Sequence, residues 1–162
     1  MKKRSYYVYT VSYLTLIELE AMKHQTRKDN CHIIDLPKIQ DPRGNLTFVE
    51  GKNHIPFSIE RAYWIYDVPG GEIRGGHAYK NLHELVIAVS GSFDVMLDDG
   101  IQQRKYSLNR SYFGLYVPNL IWRSLENFST NALCLILSSD IYREEDYIRN
   151  YTEFKKHVYR SK

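Results

Sequence analysis

The sequence predicts an all-β fold, a barrel or double-sheet jelly roll finished by one short C-terminal helix. Three observations carry that reading. Apolar or alternating runs of strand length recur along the chain and are separated by turn residues. No helical period stands between them until the last part of the chain, which argues against a parallel α/β sheet. Tyrosine is over-used, 14 of 162 residues, and aromatics reach 14%, an enrichment expected of strands.

The first convincing strand is CHIIDLPKI at 31–39, closed by a turn over Asp41, Pro42, Arg43 and Gly44. LTFVEG at 46–51 follows, then a loop with Pro56, then RAYWIYDV at 61–68, ended by Pro69, Gly70 and Gly71. HAYK at 77–80 leads into the long run 84–100. Ser90, Gly91 and Ser92 bend that run, and Asp98, Asp99 and Gly100 form a good hairpin turn. Strands at 101–108, 113–118, 122–128 and 132–140 complete the series. Over 143–158, Tyr147, Ile148, Tyr151, Phe154 and Val158 fall on one helical face. Acids lead and Lys155, Lys156 and His157 trail, which suits the helix dipole. This helix is expected to cap an open end or edge of the barrel.

A chain of 162 residues suits one domain with a real core, placed here at 31–158. Residues 1–30 read as an extension or an extra strand, with Met22 an alternative start. The opening apolar run is broken by Ser5, Thr10, Ser12 and Thr15 and has no small-x-small cleavage site before Glu18 and Glu20, so a secretory signal is not the expected reading. It is also too short and polar to span a bilayer. The net charge of +3 is far from the basic stripe of a nucleic-acid binder. Cys31 and Cys134 form neither a CxxC pair nor a disulfide framework, which fits a reducing cytoplasm.

The most informative segment runs from Gly71 to Gly91. It resembles the first motif of the cupin superfamily, G-x5-H-x-H-x(3,4)-E-x6-G, with His77, Glu84 and both glycines in place and Tyr79 where the second histidine stands. Residues two apart on a strand point to one face, here the barrel interior, and a carboxylate on the next strand can close on the same point. The second cupin motif survives in part between Gly114 and Asn127, with Arg123 where the last metal ligand belongs. A guanidinium does not lose its proton and does not ligate a cation. His77 and Glu84 alone make a poor first-row metal site, so no metal is expected. A pocket collecting Arg43, Arg61, Arg74 and Arg123 suits an anion instead, most simply a diphosphate held by bidentate arginines.

The runs PFSIERAYWIYDVPGGEIRGGHAYK, LDDG, GLYVPNLIWR and LSSDIYREEDYIRNYTEF closely resemble the dTDP-sugar 3,4-ketoisomerases of antibiotic and surface-polysaccharide (lipopolysaccharide, O-antigen) biosynthesis. The resemblance covers roughly residues 33–154. It implies a homodimeric jelly roll that isomerises dTDP-4-keto-6-deoxy-D-glucose to a dTDP-3-keto-6-deoxyhexose, with a downstream PLP-dependent aminotransferase as pathway partner. No cofactor is implied. By the same resemblance His77 is the base that removes the C3 proton, a role suited to imidazole.

The family usually reads RGxHAHK, and Tyr79 departs from it. A phenol, with an ordinary pKa near 10, donates or relays a proton at neutral pH but is a poor base. The expectation taken here is that Tyr79 shuttles the proton between O3 and O4; water or another tyrosine such as Tyr66 takes that role in a second reading; in a third the protein binds without turnover. A 3,5-epimerase of the same barrel superfamily is a further alternative. It requires a His–Asp pair, for which Asp94, Asp98 and Asp99 are badly placed near a hairpin tip.

Of the remaining residues, Glu84 is expected to orient His77 or a hydroxyl, and His83 to be structural on the opposite strand face. His24, His32, His54 and His157 are expected to be structural or solvated. Tyr63, Trp64, Tyr66, Tyr116 and Trp122 are read chiefly as packing aromatics, with one or two free to stack on thymine or hexose. Gly70, Gly71, Gly75 and Gly76 are turn glycines. They form no dinucleotide loop, since no helix follows them.

Overall fold

The structure, a computed structural model, describes residues 30–160. The extension expected over 1–30, with Met22 and His24, therefore lies outside the described residues apart from its last position. The described residues form twelve strands and one α-helix: β1 (His32–Asp35), β2 (Lys38–Ile39), β3 (Leu46–Thr47), β4 (Arg61–Ile65), β5 (Arg74–Tyr79), β6 (Glu84–Ser90), β7 (Phe93–Asp98), β8 (Gln103–Leu108), β9 (Phe113–Val117), β10 (Trp122–Glu126), β11 (Leu133–Ser138), β12 (Tyr147–Ile148) and α1 (Tyr151–Arg160). Two five-stranded antiparallel sheets face each other, β1-β9-β6-β11-β4 and β12-β5-β10-β7-β8, and β2 and β3 form a small ribbon. This is the predicted jelly roll.

Side-chain alternation explains the layers. On β6, Val86 and Ala88 point into the barrel with Val95, Leu97, Leu115 and Ile136, while Leu85 and Ile87 point outward. The outward pair is also buried, because Leu36, Ile55 and Phe57 fold across that face. Burial on both faces is why 85–88 reads as an unbroken apolar run, each large aliphatic contributing roughly 1.5–3 kcal/mol. The predicted hairpin joins β7 to β8. Asp98 accepts from the Gly100 N–H at 2.7 Å, and Asp99 accepts from the N–H groups of Ile101 and Gln102 at 2.9 and 2.8 Å.

The C-terminal expectation needs correction. Residues 143–158 are not one helix: Glu144–Asp146 make a single 3-10 turn, β12 pairs with β5, and the α-helix starts only at Tyr151. Local chemistry sets these limits. The Asn150 carboxamide accepts from the Glu153 N–H at 3.1 Å, fixing the first helical turn there. The Asp146 carboxylate accepts from the Asn81 N–H, the Asn81 side chain and the Leu82 N–H at 3.0, 2.9 and 3.2 Å, which pins β12 beside the end of β5. Of the two expected places, an open end or an edge, the helix takes the edge, packing onto the edge strand β12 through Ile148 and onto the face beside it. Phe154 and Val158 pack with Ala78, Leu120 and Trp122 on the outer face of the second sheet.

Candidate active site

One end of the barrel interior is polar. On the first sheet Arg61, Glu84 and Ser138 share one level, since Ser138 pairs with Arg61 on one side and Glu84 on the other, and Tyr63 lies two residues along β4. The second sheet adds His77 and Tyr79 from β5, Arg123 from β10, paired with His77, and Tyr147 from β12, paired with Tyr79. Gly75 makes the β5–β10 approach possible. Its φ is +84°, a Cβ there would lie 2.9 Å from the Arg123 carbonyl oxygen, and the ladder shifts register between Arg123 and Ser124.

A buried ion pair organises this end. The Arg123 guanidinium, 3% exposed, donates to Glu84 Oε2, and the Tyr63 hydroxyl donates to Glu84 Oε1 at 2.7 Å. Burial works against the charge on Arg123, yet Glu84 and the phenols of Tyr79 and Tyr63 hold it protonated. Its Cζ lies 3.9 Å from the Tyr79 ring centre. Tyr79 is itself fully buried and donates its hydroxyl proton to the Tyr147 hydroxyl at 2.9 Å. Burial, then the Glu84 carboxylate, push the phenols of Tyr63 and Tyr79 above their ordinary range.

His77, Tyr79 and Tyr147 form a triangle of rings, with centroid separations of 5.0, 5.0 and 4.5 Å. Both His77 ring nitrogens are buried without a hydrogen-bond partner, as are Nε and Nη2 of Arg61 and the hydroxyl of Ser138. Burial and then the Arg123 guanidinium push the imidazole down to about 3, so His77 is neutral at neutral pH. An imidazole with two unengaged nitrogens beside two linked phenols and two guanidinium groups is equipped to move protons over an anionic intermediate.

Several expected roles are corrected. Glu84 faces the interior as expected, but its oxygens hold Tyr63 and Arg123, not His77. Arg123 fills the metal-ligand position, yet its pairing with Glu84 leaves it unsuited to clamp a diphosphate. Arg43 is not gathered with the others: its side chain is 90% exposed and paired to Asp41 at 2.9 Å within its own turn. Arg74 and Tyr66 lie together with Trp64 along a separate surface groove of about 480 Å³. Of the four arginines, only Arg61 and Arg123 join His77. Tyr66, 60% exposed, belongs to the groove and not to the ring triangle.

His83 lies on the opposite face as expected, with Nδ1 2.7 Å from the Tyr116 hydroxyl. Asp98 and Asp99 are bound to the hairpin, and Asp98 also accepts from Tyr151 on the outer helix at 2.7 Å, so neither pairs with His77. A metal does not fit this donor set, because both Glu84 oxygens are engaged and no group of three His, Cys, Asp or Glu forms among the described residues. Tyr63, Ser138 and Tyr147 were missed as site residues. The signal for Tyr147 was Asn150, three residues before Glu153, a helix-start pattern that leaves 147 outside the helix.

A family model described as FdtA, WxcM-like, C-terminal, matches residues 29–159. The chain is 42% identical over 126 residues to the TDP-4-oxo-6-deoxy-alpha-D-glucose-3,4-oxoisomerase of Aneurinibacillus thermoaerophilus, covering 78% of this chain and 91% of that protein. A 3,4-ketoisomerase from Helicobacter canadensis superposes with a TM-score of 0.78 at 39% identity, covering 80% of this chain and 98% of that one. A variant of the 3,4-ketoisomerase QdtA from Thermoanaerobacterium thermosaccharolyticum, solved in complex with TDP-4-keto-6-deoxyglucose, superposes with a TM-score of 0.79 at 36% identity. It covers 81% of this chain and 95% of that one.

Proposed function

The chain belongs to the FdtA, WxcM-like C-terminal family, and from that premise we propose that it is a sugar-nucleotide 3,4-ketoisomerase, converting dTDP-4-keto-6-deoxy-D-glucose to a dTDP-3-keto-6-deoxyhexose. The observation that carries the reading is His77, half-buried and neutral, with neither ring nitrogen holding a hydrogen-bond partner, in a chain of this family. The C3 proton of the substrate is acidic because it lies α to the C4 carbonyl. His77 takes that proton, its electron pair forms the C3=C4 bond, and negative charge develops on O4. The imidazolium and the enediolate form together, so the nearby guanidinium groups that disfavour the first favour the second. Return of the proton to C4 and closure of the C3 carbonyl complete an isomerisation with no net oxidation.

Arg61, with two unengaged nitrogens, supports anion binding beside the hexose, and Arg74 with Tyr66 supports nucleotide binding in the separate surface groove. The exposed Trp64, Ile59 and Val89 on the outer face of the first sheet support a homodimer. A PLP-dependent sugar aminotransferase in deoxyamino-sugar or surface-polysaccharide synthesis is the expected consumer of a 3-keto product. Two buried free thiols fit a cytoplasmic enzyme, and the engagement of both Glu84 oxygens by Tyr63 and Arg123 supports metal independence. The 3,5-epimerase alternative lacks its His–Asp pair.

Proton NMR of dTDP-4-keto-6-deoxyglucose with the protein in D2O tests the reading. Deuterium entering at C3 together with a 3-keto product is expected. Nucleotide binding without either would leave a binding protein that does not turn over.

A further inference from the structure

Tyr79 was expected to carry the oxygen-bound proton, but the structure gives that position to its neighbour. A hydroxyl has one proton, and the Tyr79 hydroxyl donates its own to Tyr147 at 2.9 Å. Tyr79 is also only 1% exposed, pressed between Arg123 and Tyr147, so it reaches no substrate. Tyr147 is half-buried, accepts from Tyr79, and keeps its own proton free to point elsewhere. Its ring lies 5.0 Å from that of His77, and the Arg149 guanidinium lies 4.2 Å from its centre. Arg149 is held there by Glu144 at 2.9 and 3.1 Å. Arg61, held protonated by the phenols of Tyr79, Tyr147 and Tyr63 although burial opposes its charge, is the second cation beside the Tyr147 hydroxyl.

We infer that Tyr147 is a catalytic residue that moves the oxygen-bound proton, giving its phenolic proton to O4 and recovering one from O3, while Tyr79 holds its oxygen in place. The inference rests on the ketoisomerase reading and deepens it. His77 carries the carbon-bound proton from C3 to C4. As charge builds on O4, the Tyr147 O–H bond breaks and an O4–H bond forms. The phenolate left on Tyr147 is met by the Tyr79 hydrogen bond and by the Arg61 and Arg149 guanidinium groups. When the C3=C4 pair captures the proton from His77 at C4, O3 releases its proton to Tyr147 and the C3 carbonyl closes. Both side chains end as they began, and no oxidant or reductant is needed.

Tyr147→Phe keeps the ring and removes the hydroxyl. It is expected to continue exchanging the C3 proton for deuterium while forming 3-keto product about 100-fold more slowly, within the range for one acid–base group. Tyr79→Phe is expected to lose about tenfold in product formation. Placing 3-fluorotyrosine at 147, a more acidic phenol, is expected to move the alkaline limb of the pH–rate profile to lower pH. Near-normal turnover by Tyr147→Phe, joint loss of exchange and product, or an unmoved alkaline limb would each overturn the role. If the unsubstituted protein neither exchanges C3 nor forms product, the ketoisomerase reading fails instead, so the two failures are distinguishable.

Discussion

Arg123 touches Tyr79 and Glu84 at once, its Cζ 3.9 Å from the phenol ring centre and its Nη2 donating to the carboxylate. The ion pair is almost fully buried, so each charge depends on the other to offset its lost hydration. Arg123→Met alone leaves Glu84 buried with only Tyr63 as a partner and is expected to cost about 3–5 kcal/mol in urea unfolding. Adding Glu84→Gln is expected to recover a large part of that loss. Additive losses in the double variant would contradict this coupling.

Stability should fall on acidification through two identifiable histidines, chiefly His77. The folded-state pKa of His77 is pushed down to about 3, below its ordinary value near 6.5, so the unfolded chain binds more protons between those limits. Stability from keeping this ring neutral is complete above about pH 6.5 and is lost as pH falls toward 3. His83 is shifted the same way by burial and adds to the slope. Unfolding curves across this window should flatten in His77→Asn and flatten further when His83 is also replaced.

Two adjacent glycines should respond differently to alanine. Gly75 and Gly76 have φ of +84° and +73°, so both substitutions strain the backbone by about 1–2 kcal/mol. Only at Gly75 would the new methyl strike backbone, 2.9 Å from the Arg123 oxygen, whereas Gly76 has open space. Gly75→Ala should therefore be the more destabilising by thermal melting. It should also lower turnover further, because it pushes apart the paired His77 and Arg123.

The groove assignment predicts a binding defect without a chemical one. Arg74→Ala should weaken TDP binding about tenfold by calorimetry, the loss of one charge-assisted contact, while kcat at saturating substrate stays within about twofold. A fall in kcat with unchanged affinity would place Arg74 at the hexose instead.

Phe154 is fully buried between the helix and the second sheet, with Trp122 5.7 Å away by ring centres. Phe154→Ala should cost about 3–5 kcal/mol by loss of burial and cavity formation. Because β12 sits at the base of this helix, C3 exchange should persist in that variant at temperatures where product formation has already declined.

The barrel was legible because its turns are chemically explicit: Asp98, Asp99 and Gly100 both mark and bond the hairpin. His77, Glu84 and Arg123 were legible because their motif spacing encodes inward-facing strand positions, His77 and Arg123 on paired strands of one sheet and Glu84 on the facing one. Their partners were not. That Glu84 would choose Arg123 over His77 depends on a pairing across 39 residues of sequence that no local pattern records. Tyr63 looked like packing because one aromatic among several on a strand carries no sign of a hydroxyl's partner. Tyr147 was absorbed into a helical period that its neighbours Ile148, Phe154 and Val158 satisfy, although Asp146 and Asn150 divide the segment.

Ile141 to Glu145 form an exposed passage, with Arg143 in its middle, between the last long strand and the two-residue ladder that carries Tyr147. Limited trypsin digestion at that arginine would divide the molecule into a barrel holding the imidazole and a short peptide holding the phenol. The peptide would stay only as long as its helix remains docked, so turnover of the nicked form would become dilution-sensitive and be restored by adding the peptide. The imidazole and the phenol to which the two proton transfers are assigned thus lie on opposite sides of this exposed bond.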